Sequence, residues 1–334
     1  MTMGRRRFIE STGGMVAAAS LGGAAGLAGC GQEGGDAPGS GSGPGMEAAA
    51  GEPFVGTPGI GICDWNLGPM CDPEQIPKAA EANLTGIQVS LGRDPDEIIL
   101  RDPAVRARYL ELGREHGVSF HSIALGMFNT YPLAEEPRCA VWLVDAIDTA
   151  AALGATNVLM AFFGNGDLRH RDENGEFVNE STNEFASFRL DEEKVSSVVD
   201  TLIQVIPRAR DAGVALGLEN TITAAQNLEI IERVGSEWLQ VYYDMGNSTG
   251  NGYDVPTEIR MIGNDRMCEF HLKDWSTPLL GNEGCMVDND AVAVALGEIG
   301  YDKWLVLETS GREDHFLEDT RTNVAWAKDL FGVA

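Results

Sequence analysis

The chain has 334 residues, with 24 Lys and Arg against 51 Asp and Glu, a formal net charge of −27 at pH 7. Such a charge repels a phosphate backbone and excludes nucleic acid as a partner. With 43% hydrophobic and 22% charged residues, the composition is that of a chain able to bury a large core rather than of a disordered one.

The first segment reads as an export leader. Arg5, Arg6 and Arg7 precede Phe8 and Ile9, a basic start with a twin arginine, and Thr12 to Gly29 is an Ala/Gly-rich, weakly apolar stretch too soft for a membrane span. It ends in Leu27, Ala28, Gly29 and Cys30, which resembles a lipobox, where cleavage leaves the cysteine as a lipidated N-terminus. The expectation is a twin-arginine-type lipoprotein signal over 1–29 and a protein exported and held to a membrane by a lipid on Cys30, facing the periplasm or cell exterior. Residues 30–58 are rich in Gly and Pro, with no periodic apolar face. They are expected to be a tether, reaching roughly 30 Å at about 5–6 Å times the square root of its length. Removing residues 1–29 takes away three Arg and one Glu, so the remainder carries −29.

From residue 59 to 334 the chain alternates short apolar runs with stretches of helical period. Strands are expected at 59–64, 85–91, 118–124, 156–162, 214–219, 239–244, 267–273 and 304–308. Helices are expected to start after Asp72 and Pro73 (74–82), Asp102 and Pro103 (104–116) and Glu136 and Pro137 (138–153), and to lie over 191–211, 223–234, 255–263, 288–299 and 316–331. Gly117, Gly154, Gly213 and Gly300 each stand just ahead of a strand, as helix stops do. Eight strand–helix units with near-continuous apolar strands imply a parallel sheet closed into a single (β/α)8 TIM barrel. Segment 163–190, after the fourth strand, is one long irregular insertion.

Four ionisable residues each close an apolar run in the second half: Glu219, Asp244, His271 and Glu308, separated by 25, 27 and 37 positions. In a barrel the C-terminal strand ends share one rim, so these four meet there. Carboxylate oxygens and an imidazole nitrogen suit one divalent metal ion, Mn, Mg, Co or Zn. Such an ion polarises a carbonyl and acidifies the neighbouring C–H, so Glu219 and Glu308 become candidate acid and base for a proton moved through an enediolate. Lys273, two after His271, falls on the same side of its strand and offers positive charge, either to a substrate oxyanion or to a rim acid. Trp65, Asn220 and Asn247 stand at strand ends, where sugar hydroxyls and an apolar ring face could meet them. His121, within the third strand, is expected to be a hydrogen-bonded core histidine. Of the cysteines beyond Cys30, Cys63 and Cys268 are expected to be small buried hydrophobes, and no CxxC spacing suggests a cysteine zinc site.

The motifs LGLEN at 216–220, YYDMGN at 242–247, EFHLKDW at 269–275 and IGYDKWLVLETS at 299–310 resemble the sugar phosphate isomerase/epimerase superfamily of xylose-isomerase-like barrels. That group includes ketose 3-epimerases, hydroxypyruvate isomerases and inosose dehydratases. The resemblance covers about residues 59–331 and implies a divalent metal on Glu219, Asp244, His271 and Glu308, with the two glutamates as the acid/base pair. The chain departs from the epimerase pattern at Asn247, where members commonly carry histidine, and at Trp275, Ser276 and Thr277, where an arginine is often found. The leading expectation is a metal-dependent isomerase or epimerase acting on a carbohydrate. The alternatives are a lyase or dehydratase of the inosose or 3-keto-glycoside type and a non-catalytic sugar-binding lipoprotein. A trinuclear zinc nuclease of the endonuclease IV kind is disfavoured by five histidines and by the charge.

If the leader reading holds, Cys30→Ala moves the protein from the membrane to the soluble fraction. Native protein found in the cytoplasm with residues 1–29 retained refutes it.

Overall fold

The computed structural model describes residues 59–181, 185–312 and 314–333. Cys30, the 1–29 leader and the 30–58 tether lie outside the described residues. Eight parallel strands close into a barrel in chain order: β1 (Ile60–Cys63), β2 (Gly86–Ser90), β3 (Ser119–Leu125), β4 (Asn157–Phe162), β5 (Ala215–Asn220), β6 (Leu239–Asp244), β7 (Met267–Leu272) and β8 (Leu305–Leu307). The expected strands are all present, most of them a residue or two shorter.

Helices follow the strands where the caps placed them. Asp102 accepts a hydrogen bond from the Ala104 N–H at the start of Pro103–His116, and Gly117, with φ +69°, ends that helix in the left-handed conformation that a side chain disfavours. Thr223 and Gln226 form a reciprocal capping box at the start of Ala224–Val234. Helices Arg138–Leu153, Glu192–Ala212, Val255–Ile262, Asn289–Glu298 and Phe316–Phe331 match their expected spans. The helix expected over 74–82 begins as a 3-10 turn, Pro73–Gln75, before Ile76–Glu81. Two short rim helices, Asp64–Leu67 and Met245–Gly250, were not anticipated. Each starts directly at the end of its strand, leaving no polar gap for a sequence pattern to mark.

The main apolar core joins buried residues of strands and helices, among them Ile62, Val89, Ile123, Val158, Leu216, Phe270 and Leu305. The barrel interior differs from the apolar packing usual in this architecture, because Gln88, Ser122, Asn157, His121 and Glu269 are all fully buried there and bonded to one another or to Tyr242. His121 is hydrogen-bonded to Glu269 at 2.9 Å and stacks on Trp304, with ring centroids 4.8 Å apart. Gly61 and Gly86 make room for that ring: a Cβ on Gly61 falls 2.3 Å from His121 Nε2.

Within segment 163–190 the chain doubles back on itself through antiparallel bridges Arg169 with Leu190, Arg171 with Phe177 and Asn179 with Phe188. The buried Arg169 guanidinium holds this turn, donating to Asp167 at 2.8 Å and lying 3.7 Å from the Phe177 ring centroid. The five described cysteines are all free.

Between two helices, Glu258 accepts from the Ala224 N–H at 2.7 Å and from Tyr243 OH at 2.8 Å. Burial pushes its carboxyl up from 4.5 to about 6. A raised acid costs nothing below its unfolded pKa, and the cost of ionising it in the fold grows as pH rises through the folded value, reaching about 2 kcal/mol. Glu258→Gln is therefore expected to gain stability relative to wild type between pH 4.5 and 7, by about 3–5 °C in Tm difference. A Tm difference that is flat or falls over that interval contradicts this.

Candidate active site

The parallel register carries the four rim residues together. Asp244 on β6 pairs with His271 on β7, which pairs with Val306 on β8, and Glu219, next to last in β5, pairs with Ala161 on β4. Glu308 follows β8 directly, its N–H bonded to the Leu272 carbonyl. Side chains two apart on a strand share a face, so Tyr242 lies in line with Asp244, and Glu269 with His271.

His271 is fully buried, and its Nδ1 stands 3.1 Å from Glu219 Oε1, 3.4 Å from Glu308 Oε2 and 3.7 Å from Asp244 Oδ2. One ligand atom from each of the four residues lies within 4.8 Å of every other. Asp244 Oδ2 is buried without a hydrogen-bond partner; Lys273 Nζ is 3.5 Å away and also bonds Glu308 Oε2 at 2.9 Å. Three carboxylates, one of them with a buried oxygen that lacks a hydrogen-bond partner, and one imidazole are a donor set that fits a divalent cation.

The electrostatics follow from crowding. Burial raises the Glu219 carboxyl above its ordinary value. Burial acts the same way on Glu308, but Lys273 and His271 outweigh it and hold that carboxyl well below the usual range. Burial alone would depress His271, whereas Cys63, Glu219 and Asp244 raise it well above the usual histidine range. Lys273 is likewise raised against its burial by Asp244 and Glu308. Of the two roles the sequence allowed, the structure shows the pairing with rim acids, Asp244 and Glu308.

Trp65 reaches the same place: its indole N–H donates to Glu308 Oε1 at 3.4 Å, and its ring meets His271 edge-on. Asn247 is buried in the short rim helix, and its backbone N–H donates to Asp244 Oδ1 at 2.8 Å. Asn220 is placed differently, because its amide exchanges hydrogen bonds with Asn227 and accepts from the Ile222 N–H. It ties β5 to the helix that follows. Two residues escaped the sequence reading. Cys63 Sγ lies 3.5 Å from His271 Nε2, with burial pushing its thiol up to about 12, and Gln88 Oε1 lies 3.2 Å from the same nitrogen. Both are fully buried, Cys63 as the last residue of β1 and Gln88 within β2, where only strand order reveals the neighbour.

A family model described as "Xylose isomerase-like TIM barrel" matches residues 76–330. The chain belongs to that family. It is 25% identical over 252 residues to SgbU of Escherichia coli (strain K12), which carries the name of an L-ribulose-5-phosphate 3-epimerase; the match covers 69% of this chain and 80% of that protein. Among solved structures, an L-ribulose 3-epimerase superposes with a TM-score of 0.62 at 21% identity, covering 82% of this chain and 94% of that one. The 3-keto-D-glucoside 4-epimerase YcjR of E. coli gives 0.63 at 13% identity, covering 81% and 98%. At these identities the structural matches speak for the barrel fold.

Lys273→Met removes the cation that pairs with Asp244 and Glu308. Chelator-treated variant is expected to melt several degrees below wild type, the direction that uncompensated buried charge dictates, and added Mn2+ is expected to raise its Tm by more than it raises that of wild type. Equal Tm values with and without metal would show that the carboxylates do not depend on this charge.

Proposed function

We propose that the protein is a divalent-metal-dependent carbohydrate isomerase or epimerase that moves a proton on the carbon next to a carbonyl. The observation that carries this is the meeting of Glu219 and Glu308 with Asp244 and His271 around one point, with a buried Asp244 oxygen left unsatisfied. The names of the relatives, sugar epimerases acting at more than one carbon, support the same class of substrate and reaction.

Glu219, Asp244, His271 and Glu308 would hold a divalent ion, which when bound would supply Lewis-acid polarisation of the substrate carbonyl. Glu219 and Glu308 are the proton carriers, one taking the proton and the other returning it, and the enediolate is the species between the two transfers. Lys273 places positive charge beside Glu308, where it favours the anion that develops on substrate oxygen. Trp65 orients the Glu308 carboxylate through its indole N–H and offers a ring face to the apolar side of a sugar.

A lyase that expels a β-substituent uses the same first proton transfer. Asn247 favours keeping this second reading, since an amide stands where the epimerase pattern carries an imidazole. A sugar-binding role without catalysis has less support, because both carboxylates are retained at the rim. The leader and Cys30 support an exported, lipid-anchored enzyme acting on sugars outside the cytoplasm.

Elemental analysis is expected to find one metal per chain and less in His271→Ala; unchanged stoichiometry and affinity in both His271→Ala and Asp244→Ala removes the site. Glu219→Gln and Glu308→Gln are each expected to cut turnover at least about a hundredfold, the scale of a lost acid or base. In deuterium oxide, label is expected on the carbon next to the carbonyl. Near-normal turnover in both glutamine variants refutes the assignment.

A further inference from the structure

We propose that Gln88, Tyr242 and Glu269 are positioning residues that fix which ring nitrogen of His271 carries the proton, so that Nδ1 presents its lone pair to the metal. The inference rests on the metal-site reading above and adds residues that do not touch the metal.

Glu269, buried one layer below His271 on the same strand, receives three donors: Tyr242 OH at 2.6 Å, His121 Nδ1 at 2.9 Å and Asn157 Nδ2 at 2.9 Å. A carboxylate under three donors only accepts, and a tyrosine has one proton to give. With that proton on Glu269, Tyr242 oxygen accepts from Gln88 Nε2 at 2.9 Å. The same Gln88 nitrogen donates to Ser122 Oγ, also at 2.9 Å.

The amide group of Gln88 is thereby turned one way, with its nitrogen toward Tyr242 and its carbonyl oxygen toward His271 Nε2, 3.2 Å away. A carbonyl there requires Nε2 to be the N–H. Cys63 does not compete, since its thiol donates to the same carbonyl at 3.3 Å. The tautomer with a bare Nε2 would set a lone pair against that oxygen in a site without exposure, which an unpaired buried polar group makes costly. Nδ1, on the opposite side of the ring, is left to face Glu219, Asp244 and Glu308. A neutral imidazole that ligates a metal commonly has its other nitrogen fixed in this way, and losing the partner typically costs 10–100-fold in affinity.

Two measurements test it. In a Mn2+ titration followed by the EPR signal of the free ion, Gln88→Met and Tyr242→Phe are each expected to weaken binding about 10–100-fold with an unchanged circular dichroism spectrum. Tyr242 acts through Gln88, so the double variant is expected to bind no more weakly than Gln88→Met alone. Additive losses, or wild-type affinity in Tyr242→Phe, overturn the proposal. Should Tyr242→Phe fail to fold, Glu269→Gln replaces it, keeping shape while adding a donor where the chain of bonds needs an acceptor.

The second measurement needs no metal. In metal-free protein with 15N-labelled histidine, the His271 Nε2–H proton is expected to be protected from solvent exchange in wild type and to exchange faster in the variant. A bare Nε2, or equal protection in both proteins, overturns the proposal. Wild type that binds no metal would defeat the functional reading, and the behaviour of this proton would still decide the network.

Discussion

Three carboxylates and one imidazole crowded into a buried rim are the constraint to which the surrounding structure answers. Two like charges 4 Å apart repel by about 4 kcal/mol at the effective dielectric typical of protein surroundings, and here Glu219, Asp244 and Glu308 all point at one nitrogen. Lys273 meets two of them, Asp244 and Glu308, and Trp65, just after the end of the adjacent β1, also bonds Glu308. Burial raises both glutamates, and Lys273 with His271 then divides them, holding Glu308 below its usual range while Glu219 stays raised. A pair of acids pushed apart in this way is the arrangement that acid–base chemistry uses.

The polar interior of the barrel follows from the same need. An imidazole held among acids must be aimed, and aiming it requires groups that are themselves held. Gln88, Tyr242 and Glu269 form a connected chain below His271, and His121 is kept in that chain by the close approach of Gly61 and Gly86. Such networks stabilise only when their members are satisfied. Asn157 Oδ1 and His121 Nε2 are the members left without partners, so the network is fully paired toward the rim and less so toward the floor.

Around this centre the chain is less like a generic epimerase. Asn247 rather than histidine accompanies Asp244, and Trp275 stands 42% exposed after Lys273, a flat apolar face near the mouth. The doubled-back segment between β4 and β5 is pinned by Arg169 to Asp167 and to Asn251, just beyond the rim helix that contains Asn247. That contact joins two loops at the C-terminal ends of the strands, the face on which barrels vary their chemistry.

The sequence alone determined the eight strand–helix units and the four rim residues, because strand length, glycine stops and caps are local properties and because a barrel places every strand end on one rim. Glu219, Asp244, His271 and Glu308 could be named together for that reason. It could not show that Asn220 turns to Asn227, since the choice between pocket and helix start depends on a neighbour seven residues away. Nor could it show that Cys63 and Gln88, read as interior residues of apolar strands, touch His271. Those contacts span 208 and 183 residues and exist only because β1, β2 and β7 curve around one axis; closure of the sheet, a tertiary event, decides which buried side chains meet.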